Sequence, residues 1–172
     1  QLNWLKLLPS QDVASYEGPR QVATGFDRFT TVVPGGGNVF YGLQPDGQLV
    51  WMRHEGAVDG TDNWAPERVV GVGWDDFQQL IPGGNGVIYA LRKNGDLLWY
   101  RHDGTEDGGD ISTWRGPVVV EQPFIPGRMN GEIQIENSRR WHWTHFTHIL
   151  CMAGNFYLVR PNGDLHWFRH EG

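Results

Sequence analysis

Apolar residues in this chain follow no sustained helical period. They alternate with polar ones, or cluster, over short runs that Gly, Pro, Asp or Asn close. These runs repeat. Tyr41-Gly-Leu-Gln-Pro-Asp-Gly-Gln-Leu-Val-Trp-Met-Arg-His-Glu-Gly56 returns as Tyr89–Gly104 and again as Tyr157–Gly172. The first shift is 48 residues and the second 68, and most of the extra length lies between Val120 and Trp143. Gln1-Leu-Asn-Trp-Leu-Lys matches Gln48-Leu-Val-Trp-Met-Arg, so the chain opens inside a further, partial copy. Self-similarity at such a period marks a repeat architecture.

Each copy predicts four short strands, a to d. Strand a covers Phe29–Val33, Phe77–Ile81 and Phe146–Cys151. Strand b covers Val39–Gln44, Val87–Arg92 and Asn155–Arg160. Strand c covers Gln48–Arg53, Asp96–Arg101 and Asp164–Arg169, with Leu2–Leu7 as the extra copy. Strand d covers Arg20–Ala23, Glu67–Gly71 and Gly116–Val120. Asp46-Gly47, Asn94-Gly95 and Asn162-Gly163 between b and c supply the positive φ that a tight hairpin needs. The fold class is therefore all-β. A β-propeller with four-stranded antiparallel blades, about three to this chain, fits the short regular turns; a β-trefoil is the alternative. The units run over about 1–28 (partial), 29–76, 77–145 (with an insertion at 122–140) and 146–172 (partial). Three blades are too few to close a ring. Several chains joining into one ring, for instance a dimer making six blades, is preferred over a fragment of a longer propeller. Gln1 in first position fits a processed chain or a fragment.

Composition narrows the functional classes. Nine Trp residues and 13% aromatics argue for a packed core rather than disorder. A net charge of −6 argues against a general electrostatic grip on nucleic acid or anionic lipid. No apolar run is long enough for a membrane helix, so no membrane insertion is expected. Cys151, the one cysteine, allows no intrachain disulfide. Among Ile149, Leu150 and Met152 it reads as a buried, inert thiol.

Asp62-Asn63-Trp64, Gly71-Val72-Gly73-Trp74-Asp75-Asp76-Phe77, Gly86-Val87-Ile88-Tyr89-Ala90 and Gly95-Asp96-Leu97-Leu98-Trp99-Tyr100-Arg101-His102 resemble the repeats of tachylectin-2-type β-propeller lectins. The resemblance covers nearly the whole chain except about 122–140. It implies a ring of blades that binds N-acetylated amino sugars (GlcNAc- or GalNAc-type glycans), one site per blade, through loops between adjacent blades. A secreted or cell-surface location is expected, and no cofactor.

Asn63, Trp64, Gly73, Trp74 and Asp75 combine flat rings with amide, carboxylate and backbone groups on short loops, which is what reading a saccharide requires. Trp64 could equally plug a blade edge. The corresponding candidates are Tyr16, Phe26 and Asp27 in the first unit and Trp114 in the third; the first unit departs by carrying Tyr16 for Trp64 and Phe26 for Trp74. Trp4, Trp51, Trp99 and Trp167 recur on strand c and read as packing between blades rather than as sugar platforms. Arg53-His54, Arg101-His102 and Arg169-His170 read as anchors for a loop of the next blade. The run His142, His145, His148 would suit a metal only in a loop, because steps of three on a strand alternate faces.

No Gly-x-Ser-x-Gly, no phosphate-binding Gly-x-x-x-x-Gly-Lys and no His-Glu-x-x-His occurs, so an enzyme is not expected. The rival to a multivalent lectin is a protein–protein interaction propeller whose 122–140 insertion makes the contact.

Overall fold

The computed structural model describes residues 1–8, 15–129, 132–152 and 154–170, and of 124–140 the backbone alone. Glu171 and Gly172, which close the third copy, lie outside the described residues. The chain forms two compact units, residues 1–75 with 104–112 and residues 76–103 with 113–172.

In the first unit, β1 (Leu2–Leu8) and β2 (Ser15–Ala23) form an antiparallel hairpin. A four-stranded sheet follows in chain order: β3 (Thr31–Gly36), β4 (Val39–Leu43), β5 (Leu49–Arg53) and β6 (Arg68–Gly71). The second unit repeats that sheet as β7 (Phe77–Gly84), β8 (Val87–Arg92), β9 (Leu97–His102) and β10 (Trp114–Val120). It then adds a hairpin of β11 (Phe124–Met129) and β12 (Glu132–Arg140), and a three-stranded sheet of β13 (His148–Met152), β14 (Asn155–Val159) and β15 (Leu165–Arg169).

All three meanders share one register. Tyr41 lies opposite Trp51, Tyr89 opposite Trp99 and Tyr157 opposite Trp167. Aromatic cross-strand pairs of this kind fix strand pairing. A trefoil would split each repeat between a barrel and a hairpin cap. Here all the strands of a repeat lie side by side in one sheet, as in a propeller blade.

Strand a of the first and third copies begins later than the sequence pattern suggests. A 3₁₀ turn precedes it in each, at Phe26–Arg28 and Trp143–His145, matched in the middle copy by Trp74–Asp76. The Phe29 amide donates to the Phe26 carbonyl at 3.2 Å, and the Phe146 amide to the Trp143 carbonyl at 3.4 Å, so neither is spent on a ladder. Strand d is longer than expected at its first and last occurrences, reaching back to Ser15 and Trp114. The 122–140 insertion, whose polar, Gly-containing composition suggests a solvated loop, forms the β11–β12 hairpin instead.

Burial follows strand position. In β5 Leu49, Val50, Trp51 and Met52 are all buried, as befits a strand covered on both faces. The outer β10 is mostly exposed. In β15, the same strand of the repeat as β5, burial alternates, and Leu165 and Trp167 are more than 60% exposed. The second unit's core gathers Ile81, Tyr89, Leu91, Leu97, Trp143, Phe146, Phe156 and Leu158.

The strand-c tryptophans show how successive repeats hold each other within the first unit. Trp51 donates its indole N–H to the Thr105 carbonyl at 3.1 Å, and Arg53 donates to the Glu106 carbonyl. Trp4 does the same to the Ala57 carbonyl at 2.9 Å, with Lys6 reaching the Val58 carbonyl at 3.3 Å. Gly108 (φ +83°) and Gly60 (φ +71°) lie on the two indoles, where a Cβ would come within 2.7 and 2.5 Å of the rings. Left-handed backbone and ring contact together require glycine. Gly108→Ala is expected to cost about 2–4 kcal/mol in chemical denaturation, from backbone strain and overpacking together.

Candidate functional site

The structure distributes the sequence-derived candidates over opposite ends of the blades. At the c–d end of the first unit, Trp64 pairs with His54 as an isolated bridge and stacks on its imidazole at 4.6 Å. The Trp64 indole donates to the Val22 carbonyl of β2 at 2.8 Å, and Phe26 and Phe40 stand about its ring at 6.0 and 5.9 Å. One ring face and the only polar atom of Trp64 are thus already engaged, and the side chain joins the hairpin to the sheet. Trp114 repeats the arrangement on His102, at 4.6 Å. Asn63 is exposed, and its carbonyl accepts from the Glu55 and Gly56 amides at 2.9 and 3.0 Å. Tyr16 is exposed on β2.

At the d–a end, Trp74 is buried, and its amide donates to the Gly47 carbonyl at 3.0 Å. Asp75 is exposed, with its carboxylate close over Gly47 in the b–c turn. Gly73 is exposed at φ +75° with open space where a Cβ would stand. Phe26 is half-buried and Asp27 exposed. The fold therefore brings Phe26 and Trp64 together as packing partners. It places Trp64 and Trp74 at opposite ends of β6, and the accessible polar groups Gly73, Asp75 and Asp27 at the turns before strand a.

Those turns meet the b–c hairpins, and in the second unit they frame a cleft of about 440 Å³ lined by Trp141, Thr144, His145, Arg160, Pro161 and Asn162. Its volume falls in the range of small-ligand clefts, roughly 300–1,000 Å³. Trp141 is half-buried, and the Arg160 guanidinium lies over its ring, 4.0 Å from the centroid. His145 meets Trp141 edge-on at 5.7 Å. Arg160 Nη1 stands 3.5 Å from Asp164, while its enclosed Nε finds no hydrogen-bond partner among the described residues. Asn162 closes the b–c turn by donating to Asp164 Oδ2 at 2.8 Å and accepting the Asp164 amide at 3.2 Å. Each amide atom of Asn162 keeps capacity for one more bond. The set supplies an apolar wall, a hydroxyl, an amide and a fixed cation.

Sequence reasoning missed this cleft. Its signal was present: Trp141 occupies the position of Thr24 in the first copy and Val72 in the second, and Arg160 that of Gln44 and Arg92. The His142 and His145 rings stand edge to face, 5.5 Å apart, while His148 Nδ1 lies 3.1 Å from Thr147 Oγ1. Among the described residues no three His, Cys, Asp or Glu side chains gather as metal ligands. Burial raises the Cys151 thiol pKa.

The recurrent blades are matched by a comparison with protein families: a model described as Tachylectin covers residues 9–121. The chain belongs to the tachylectin family. A search of curated proteins finds no match. The family match carries the propeller architecture of four-stranded antiparallel blades, which the two complete sheets display, and it places the chain among lectins. The matched span runs from before β2 to just past β10, so the tachylectin assignment rests on the first two repeats, and the Trp141 cleft lies beyond it. Among the described residues no helix is long and apolar enough to cross a membrane.

Proposed function

We propose that this tachylectin-family chain is a lectin for N-acetylated amino sugars, held where the turn before strand a meets the b–c hairpin. The observation that supports it is the Trp141 cleft. A pyranose presents C–H groups on its faces and hydroxyls at its rim. Trp141 offers an apolar wall for the former, or for an acetamido methyl. Thr144, Asn162 and the exposed part of the Arg160 guanidinium offer partners for the latter. Equivalent positions carry Thr24, Asp27, Gln44 and Asp46 in the first copy and Val72, Asp75, Arg92 and Asn94 in the second. They keep the polar groups without the ring and form weaker, additional sites. Chemistry here is confined to binding, with no enzymatic step.

Among the described residues the sheet β13–β15 holds three strands and the hairpin β1–β2 two, against four in each complete blade. Chains joining through these edges to complete a ring, with several sugar sites each, is the assembly this reading favours, because open sheet edges invite pairing. Sedimentation should give a multiple of 19.5 kDa; a strict monomer contradicts the assembly and leaves the sugar site standing.

Calorimetric titration with N-acetylglucosamine and N-acetylgalactosamine tests the specificity. Saturable binding of at least one is expected, with glucose and galactose weaker. Arg160→Ala should weaken it by about tenfold, the loss of a charge-assisted hydrogen bond. Equal binding of the non-acetylated sugars would refute the N-acetyl preference.

A further inference from the structure

The third copy departs from the other two in the charge of the turn before strand a. The 3₁₀ turns there read Phe26-Asp27-Arg28, Trp74-Asp75-Asp76 and Trp143-Thr144-His145. The first two turns carry carboxylates and the third carries none. Thr144 and His145, which stand in their place, are both exposed and both line the Trp141 cleft. The His145 ring meets Trp141 edge-on at 5.7 Å, and its nitrogens make no hydrogen bond among the described residues.

Hydroxyls of a neutral sugar donate as well as accept, and a carboxylate is the strongest acceptor a protein offers them. The lining of the Trp141 cleft holds no carboxylate. That of Asp164 is spent on the site's own residues: Oδ2 accepts from Asn162 Nδ2 at 2.8 Å and lies 3.5 Å from Arg160 Nη1. What faces the cleft is a set of donors, namely the exposed part of the Arg160 guanidinium, an imidazole N–H, the Thr144 hydroxyl and the Asn162 amide. A ligand group that only accepts, and is negatively charged, makes the fullest use of such a wall. The chain as a whole carries −6, so this acid-free wall is a local feature. The position is open in its own right. In the middle copy, which a further copy follows, Val72 is 62% exposed, and Asp75, Arg92 and Asn94 are exposed as well.

We propose that the Trp141 cleft takes an acidic N-acetylated sugar, one that bears a carboxylate or a sulfate ester. Arg160 and His145 hold the anion, and Trp141 and Asn162 hold the rest of the sugar. The proposal rests on the sugar reading of this cleft and narrows its ligand. His145 sets the preference: the middle copy has Asp76 at that position and Asp75 beside it, and two carboxylates there repel an anion.

The test is calorimetric titration of the full chain with N-acetylneuraminic acid, with a sulfated N-acetylglucosamine and with N-acetylglucosamine itself. At low ionic strength at least one acidic sugar should bind about tenfold tighter than N-acetylglucosamine, the gain of a charge-assisted hydrogen bond over a neutral one. High salt should shrink that advantage. Which acidic sugar gains tells carboxylate from sulfate ester. His145→Asp, at an exposed position, should erase the advantage and leave the acidic sugars no tighter than N-acetylglucosamine. N-acetylglucosamine bound as tightly as both acidic sugars, or an acid preference that survives His145→Asp, would overturn the proposal while the amino-sugar reading stands. Binding of none of the three would overturn both.

Discussion

Trp51→Ala is expected to lower stability by about 3–5 kcal/mol in urea or guanidinium unfolding, the cost of deleting a fully buried indole. The side chain is 1% exposed, lies opposite Tyr41 in the sheet and is covered by Gly108, and its N–H holds the Thr105 carbonyl. Truncation removes the packing, leaves a cavity and strands that carbonyl. The 104–112 loop would lose one of its main anchors within the first unit. Trp167→Ala should be far milder, within about 1 kcal/mol, because the same repeat position on β15 is 61% exposed. Equal losses at the two positions would contradict the link between loop cover and stability.

Trp141→Ala carries the largest effect expected on function. Sugar affinity should fall by about thirtyfold, close to 2 kcal/mol, if the indole acts as the anchor of the cleft. Arg160 would suffer with it, since its guanidinium is placed by the ring 4.0 Å away. Trp64→Ala should behave in the opposite way. Trp64 is stacked on His54 and bonded to the Val22 carbonyl, so its loss should lower stability while the Trp141 cleft keeps its affinity. A titration in which Trp64→Ala abolishes sugar binding and Trp141→Ala does not would return the site to the seam around Asn63 and Trp64.

Much of the fold was legible because each strand announces itself repeatedly. Leu49–Arg53 and Leu97–His102 pair a short apolar run with an Asp-Gly or Asn-Gly turn, and the turn fixes both register and direction. The recurrence of Trp4, Trp51 and Trp99 identified a structural position. What it could not reveal is that each such ring needs a loop from elsewhere, since that partner lies more than fifty residues away in sequence. The 3₁₀ turns at Phe26–Arg28, Trp74–Asp76 and Trp143–His145 span three residues each, too few to show a hydrophobic period, so the sequence marks Trp74 only as part of a short loop.

The site was harder for a related reason. A sequence reveals an aromatic ring but not which of its faces is already covered. Trp64 and Trp74 were attractive by type and spacing, yet the first is engaged by His54 and Val22 and the second is buried. Trp141 lies next to a stretch without repeat counterparts and stands where the other copies carry Thr24 and Val72, so no recurring ring marks the position. Only folding brings it against Arg160, nineteen positions later, in the b–c turn of the third repeat. Asp27, Gly73 and Asp75 share its end of the blades by topology, which follows from antiparallel strand order rather than from proximity in the chain.

The most direct measurement is a crystal structure of the chain soaked with N-acetylglucosamine. The account predicts a sugar in the cleft lined by Trp141, Thr144 and Asn162, with a ring hydroxyl or the acetamido oxygen within hydrogen-bond distance of the Asn162 amide or the Thr144 hydroxyl. A sugar bound only at Asn63 and Trp64, or a Trp141 cleft left without one at saturating concentration, would contradict it.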